Sequence, residues 1–297
     1  MSVLAPVTGL RHRPALILLT LLAIPTVLVI SVQLAIFASA ELAAAALTIT
    51  VSLITVAVVL VFIRVTAPDA VPLRVAVAAL AWGALAAPVI AVVAMAPWSS
   101  ALAGSFGDPT SPWSDSVIAG PVEEPAKLLG LALLAVAWPR SVRGARAGQV
   151  AGMLIGLGFE TVEHILYAQF VAVVAPPGAS IEAVSWTLLA RIVGSGLFLH
   201  VGFTGLAGMV AGWALGRPSV HRWLVAAATL VGVAALHALA NQGPIVPPSL
   251  PWAAEEIGPV AVASLVRSLP FLLLVVLLVR QRVYATQRPT ELARSAQ

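Results

Sequence analysis

Eight runs of predominantly apolar residues follow one another along the chain, at about 15–37, 42–63, 73–95, 117–138, 147–174, 184–215, 222–241 and 259–279. At 1.5 Å per helical residue, each is long enough to cross a hydrocarbon layer of about 30 Å. Lipid offers the backbone no hydrogen-bond partners, so such spans bond internally as helices. The pattern predicts an all-α, polytopic membrane protein with about eight transmembrane helices, forming one integral-membrane domain over residues 1–297. The first run follows Arg11-His12-Arg13, and Ala38-Ser39-Ala40 has the form of a signal-peptidase site. Its apolar core, Ala15 to Phe37, is too long for a signal peptide and reads as a retained anchor.

The polar positions between the runs set the orientation. Arg11 and Arg13, Arg64 and Arg74, Arg140, Arg143 and Arg146, Arg217 and Arg222, and Arg280, Arg282, Arg288 and Arg294 fall on one side. The alternate loops, 38–41, 96–116, 175–183 and 242–258, hold no Lys or Arg. The positive-inside rule then places both termini in the cytoplasm of a cell-membrane protein. Trp98, Trp113, Trp186 and Trp252 fall near the outer interface, and Trp138, Trp213 and Trp223 near the inner one. Two outer loops are rich in proline and read as solvated connectors.

Composition narrows the function classes. Sixty per cent of residues are hydrophobic and nine per cent charged, which excludes an ordinary soluble domain. The net charge of +4 belongs to arginines that flank lipid spans, so no nucleic-acid partner is expected. The chain has no cysteine, which removes disulfides, thiolate nucleophiles and thiolate metal ligands. Arginine in place of lysine, with abundant Ala and Val, is the composition of a GC-rich bacterial gene.

Against this background the ionisable residues inside the spans stand out. A charge at membrane depth costs about 2.5–3.5 kcal/mol on insertion scales, so it persists where it pairs, lines a wet cavity or does chemistry. Gly120-Pro121-Val122-Glu123-Glu124-Pro125-Ala126-Lys127 opens one span with two acids and an ammonium. Glu123 and Lys127, four apart, are expected to pair. Glu124 points about 100° away and is left for another role. The next span carries Gly148, Gly152 and Gly156 at helical spacing, a close-packing stripe that runs up to Glu160, Glu163 and His164. His200 precedes a second stripe of Gly208, Gly212 and Gly216, and His237 is followed one turn later by Asn241. Counted from the arginine flank of its own helix, each of Glu124, Glu160, Glu163, His200 and His237 lies 14 to 17 residues in. That puts all five about 21–26 Å above the inner flank, at one level of the outer half of the bilayer. One shared site explains a common depth. His164 is expected to hydrogen-bond Glu160, Asn241 to bond to a backbone or orient the His237 ring, and Arg191 and Arg267 to snorkel toward the interface.

Four spaced fragments carry a family resemblance: Glu123-Glu124-x-x-Lys127, Phe159-x-x-x-Glu163, His200 ahead of a glycine-rich helix, and His237-x-x-x-Asn241. In this order, on successive membrane helices within about 117–241, they resemble the PrsW family of intramembrane proteases, relatives of the CAAX-prenyl endopeptidases. The resemblance implies an active site of Glu123, Glu124, Glu163 and His200, with His237 and Asn241 supporting it; Lys127, Glu160 and His164 are expected as further supporting residues. It departs from the pattern at His164, where Asn often follows the motif-two acid. It also implies a membrane-anchored protein substrate in the lipid bilayer, with regulators such as anti-sigma factors as one class.

The residues then read as an intramembrane endopeptidase with Glu124 as the base, His200 holding water or the oxyanion, Glu163 orienting that imidazole, and Glu123 positioning the motif through Lys127. Two chemistries fit. In one, zinc is held by Glu163, His200 and His237; in the other, preferred on sequence grounds, the glutamate acts without metal. A proton- or ion-coupled transporter, or a non-enzymatic membrane partner with a decayed site, are the alternatives. The orientation has a direct check. A reporter fused after Gln297 is expected in the cytoplasm and one inserted near Gly107 outside; finding both on one side overturns the span count.

Overall fold

The computed structural model describes residues 13–102, 112–194, 198–241 and 264–283, and every regular element in them is helical. In chain order these are α1 (Arg13–Ala40), α2 (Leu42–Thr66), α3 (Leu73–Ala81), a π turn (Trp82–Ala86) and α4 (Ala87–Leu102). Then come α5 (Pro112–Ala137), α6 (Ala145–Val174), α7 (Ser180–Leu189), a second π turn (Ala190–Gly194), α8 (Leu199–Gly216) and α9 (Val220–Ala240). The last is α10 (Ser264–Val283). Among the described residues six helices are long and apolar enough to cross a membrane: α2, the run Leu73–Trp98, α6, α8, α9 and α10. α5 is as long as these, but it carries Glu123, Glu124 and Lys127 in its interior. Both chain ends, including Arg11, Arg288 and Arg294, and the proline-rich loop Gln242 to Gly258 lie outside the described residues. Of the loop 96–116, residues up to Leu102 continue α4 and those from Pro112 already belong to α5.

One expected helix is broken. The apolar run 184–215 divides into α7, the π turn that holds Arg191, and α8. Phe198, which precedes α8, sits in the left-handed region at φ 50°. Gly194 and Gly196 bracket Ser195 at this point, and such residues are poor helix formers that leave the run easy to interrupt. The break places His200 in the first turn of α8.

Close approach of backbones sets the other positions. On α6, a Cβ at Gly148 would meet Gly208 O at 2.2 Å, one at Gly152 Thr204 O at 2.3 Å, and one at Gly156 His200 O at 2.3 Å. The two glycine stripes therefore face each other, and the α6–α8 seam runs directly up to His200. Gly120 allows the equivalent approach between α5 and α9: a Cβ there would meet Ala234 O at 2.0 Å. Trp82, in the first π turn, donates from Nε1 to Ala126 O at 3.0 Å, beside Lys127. α5 is thereby fixed against α9 on one side and against the α3–α4 run on the other.

The seam makes a stability contrast. Gly152→Val forces a side chain onto the Thr204 carbonyl and is expected to cost at least about 1–3 kcal/mol, the range for overpacked cores. Gly232→Ala, with nothing within 4 Å of its Cβ, is expected to be neutral or to stabilise by up to about 1 kcal/mol through helix propensity. Thermal unfolding of the detergent-solubilised variants measures both.

Candidate active site

Lys127 is where the buried charges meet. Its side chain is wholly enclosed, and Nζ contacts Glu124 Oε1 at 2.9 Å, Glu123 Oε2 at 3.1 Å and His200 Nδ1 at 2.8 Å. The ring of Phe159 lies 3.9 Å below the ammonium. The expectation that Lys127 serves Glu123 alone is therefore corrected. Glu124 is one residue nearer, three from Lys127, and that spacing is also within reach on a helix. The two acids and the lysine form one ion group on α5.

The two imidazoles are each gripped at one nitrogen. His237 Nδ1 lies 3.0 Å from Glu124 Oε1, whose other oxygen accepts from Thr204 Oγ1 at 3.0 Å. His200 Nε2 lies 2.5 Å from Glu163 Oε2. An ammonium only donates, so His200 Nδ1, facing Lys127, must carry the lone pair and Nε2 the proton that Glu163 accepts. A carboxylate only accepts, so His237 Nδ1 carries its proton, and Nε2 in the neutral ring is a lone pair. That Nε2 is buried and has no hydrogen-bond partner among the described residues. Glu123 Oε2 is the acid that faces it, at 3.8 Å. The rings of His200 and His237 meet edge to face with centroids 4.9 Å apart.

The remaining expected residues take other places. Glu160 is buried and accepts from the backbone N–H of Val201 at 3.5 Å. The break before α8 leaves its first N–H groups without partners inside the helix, and Glu160 answers one of them from α6. His164 stands 4.0 Å from Glu160, beyond hydrogen-bond length, and its Nδ1 has no hydrogen-bond partner among the described residues. Asn241 ends α9, its backbone N–H bonded to His237 O at 3.0 Å, while the ring bond that orients His237 comes from Glu124. Arg191 does not snorkel: it donates to Glu163 Oε2 at 2.6 Å and stacks 4.1 Å over Tyr167. Sequence reasoning also passed over Thr204, although it lies one turn from His200 on the same face of α8.

The sequence matches the family described as PrsW family intramembrane metalloprotease over residues 71–278, well over half the chain. The chain belongs to that family. It is an intramembrane metalloprotease and a multi-span membrane protein. No curated protein and no solved structure matches it.

The metal that the family description implies can be tested against the residues present. Glu123, His200 and His237 each bring one donor atom within 4.8 Å of the others, all three residues buried. Each imidazole has one nitrogen held by a carboxylate, the usual arrangement for a metal-binding histidine, and carries its lone pair on the other, that of His200 facing Lys127 Nζ at 2.8 Å. The buried lone pair at His237 Nε2, with no hydrogen-bond partner among the described residues, is a donor suited to a cation. The residues fit. They also differ from the set expected from sequence, which had Glu163 as the carboxylate ligand: Glu163 meets His200 at Nε2, on the side of the ring away from Lys127.

The ion group has a measurable consequence. Lys127→Met strands two buried carboxylates and is expected to cost about 3–5 kcal/mol of stability. Thr204→Val removes one hydrogen bond to a charged oxygen and is expected to cost about 1.5–3 kcal/mol. Unfolding curves in detergent give both, and a Lys127→Met variant as stable as the parent shows that Nζ carries no such weight.

Proposed function

We propose that this PrsW-family protein hydrolyses a peptide bond in or near the membrane-spanning part of a membrane-anchored protein. The observation that carries the reading is the convergence of Glu123 and His200 on the open lone pair of His237, deep inside a helical membrane protein. Glu123, His200 and His237 would hold the metal, zinc being the candidate. When bound, it supplies Lewis acidity and lowers the pKa of water to near neutrality.

The chain's own residues do the rest. Glu124 keeps the proton of His237 on Nδ1, and Glu163 keeps that of His200 on Nε2. Glu123 would hold the metal through Oε2, the oxygen that faces the His237 lone pair, and we assign to its other oxygen, Oε1, the acceptance of the water's proton and its return to the leaving amine. These roles exchange those expected from sequence, since Glu124 is fully enclosed with both oxygens engaged, whereas 9% of the Glu123 side chain stays accessible. Lys127 balances both acids. A substrate helix has its carbonyls already bonded, so it must unwind locally to be cut. Membrane-anchored regulators such as anti-sigma factors are one substrate class that fits. The same reading carries eight spans and both termini in the cytoplasm of the cell membrane, with α1 and α5 added to the six apolar helices.

Glu123→Gln is expected to abolish cleavage of a membrane-anchored substrate while expression and unfolding temperature stay near those of the parent. Glu124→Gln is expected to retain residual turnover with weakened metal binding, by about 10–100-fold, the cost of losing a hydrogen-bond partner behind a metal ligand. Membrane proteomes compared with and without Glu123→Gln name the substrate. Identical proteomes and unchanged peptide products overturn the reading.

A further inference from the structure

Arg191 belongs to none of the motif fragments, yet it touches the site. It lies in the π turn Ala190–Gly194, just before the break that separates α7 from α8. Such turns hold an extra residue and are frequent at functional sites. The turn sets the guanidinium across α6, where Glu163 and Tyr167, one helical turn apart, enclose it. It donates to Glu163 Oε2 at 2.6 Å and lies 4.1 Å over the Tyr167 ring. That same oxygen receives His200 Nε2 at 2.5 Å. One carboxylate oxygen thus joins a fixed cation to one of the metal-binding imidazoles.

We infer that Arg191 is a positioning residue for the metal site: it fixes Glu163, and Glu163 in turn fixes His200 with its lone pair on Nδ1. This rests on the metal reading above. Glu163 needs such an anchor more than its counterpart does. Glu124 is locked by Lys127, Thr204 and His237 with no exposure, whereas 16% of the Glu163 side chain and 17% of Arg191 remain accessible. An unanchored carboxylate at that edge turns toward water and releases the His200 N–H. Nε2 then loses its acceptor, and the ring keeps only the Lys127 contact at Nδ1 to hold its orientation. Arginine suits the task because its planar guanidinium can donate to Glu163 while stacked on the Tyr167 ring, which a lysine ammonium does less well.

The test reads zinc affinity of the full chain in detergent, without substrate, by competition with a chromophoric chelator. Arg191→Gln is expected to weaken zinc binding by about 10–100-fold, as losses behind a metal ligand do, and Arg191→Lys to weaken it less. In a Glu163→Gln background the arginine has nothing left to hold, so Arg191→Gln is expected to add less than about a twofold further loss, the margin for uncoupled error. Zinc affinity unchanged in Arg191→Gln overturns the inference, and so does a full second loss on top of Glu163→Gln. Where the glutamine variant does not accumulate folded, Arg191→Lys is judged by the same masking in the Glu163→Gln background. A parent chain that cleaves but holds no zinc overturns this inference and leaves the peptidase reading standing. One that holds zinc but cleaves nothing does the reverse.

Discussion

The structure depends on a single ammonium. Lys127 sits with no exposure among Glu123, Glu124 and His200, and it is the counter-charge that lets two carboxylates stay inside a membrane protein. Ionised acids away from water cost several kcal/mol each unless they are paired and hydrogen-bonded. With Lys127 in place, Glu124 can spend one oxygen on His237 and the other on Thr204, and Glu123 faces the lone pair of His237 Nε2. The scaffold exists to hold this group at a fixed geometry. Glycine seams bring α6 onto α8 and α5 onto α9, so that the backbones carrying the two histidines approach the acids without intervening side chains.

Much of this was legible in the sequence, for identifiable reasons. Glu124, Glu163, His200 and His237 lie at similar counts from their arginine flanks, and equal counts on straight helices mean equal depth. The glycine stripes are an unambiguous spacing signal, and they proved to be one seam. What could not be read was direction within the site. Glu123 and Glu124 are adjacent in sequence, and only packing decides which of them is sealed by Thr204 and which faces His237 Nε2.

Arg191 was illegible for a different reason. An arginine in the outer half of an unbroken span has a comfortable alternative at the interface, so snorkelling is the natural inference. The run 184–215 did hold a warning, because it is longer than the roughly 20 residues a crossing requires and has Gly194 and Gly196 in its middle. Once the run is split, Arg191 becomes the end of a short helix rather than the interior of a long one. Discontinuous helices are a recurring way to build polar sites at membrane depth, since their free ends need partners that a continuous helix does not.

The pairing of Glu163 with Arg191 also bears on how the chain enters lipid. The two residues lie 28 positions apart, on consecutive helical segments joined by a short turn. Glu123 and Glu124 have their lysine within the same helix. In synthesis order, then, α5 carries its own counter-charge, and Glu163 on α6 gains one as soon as the next segment emerges. The hairpin of α6 and α7 together with the π turn that follows, rather than either helix alone, is the smallest unit in which Glu163 can leave water with its charge already matched.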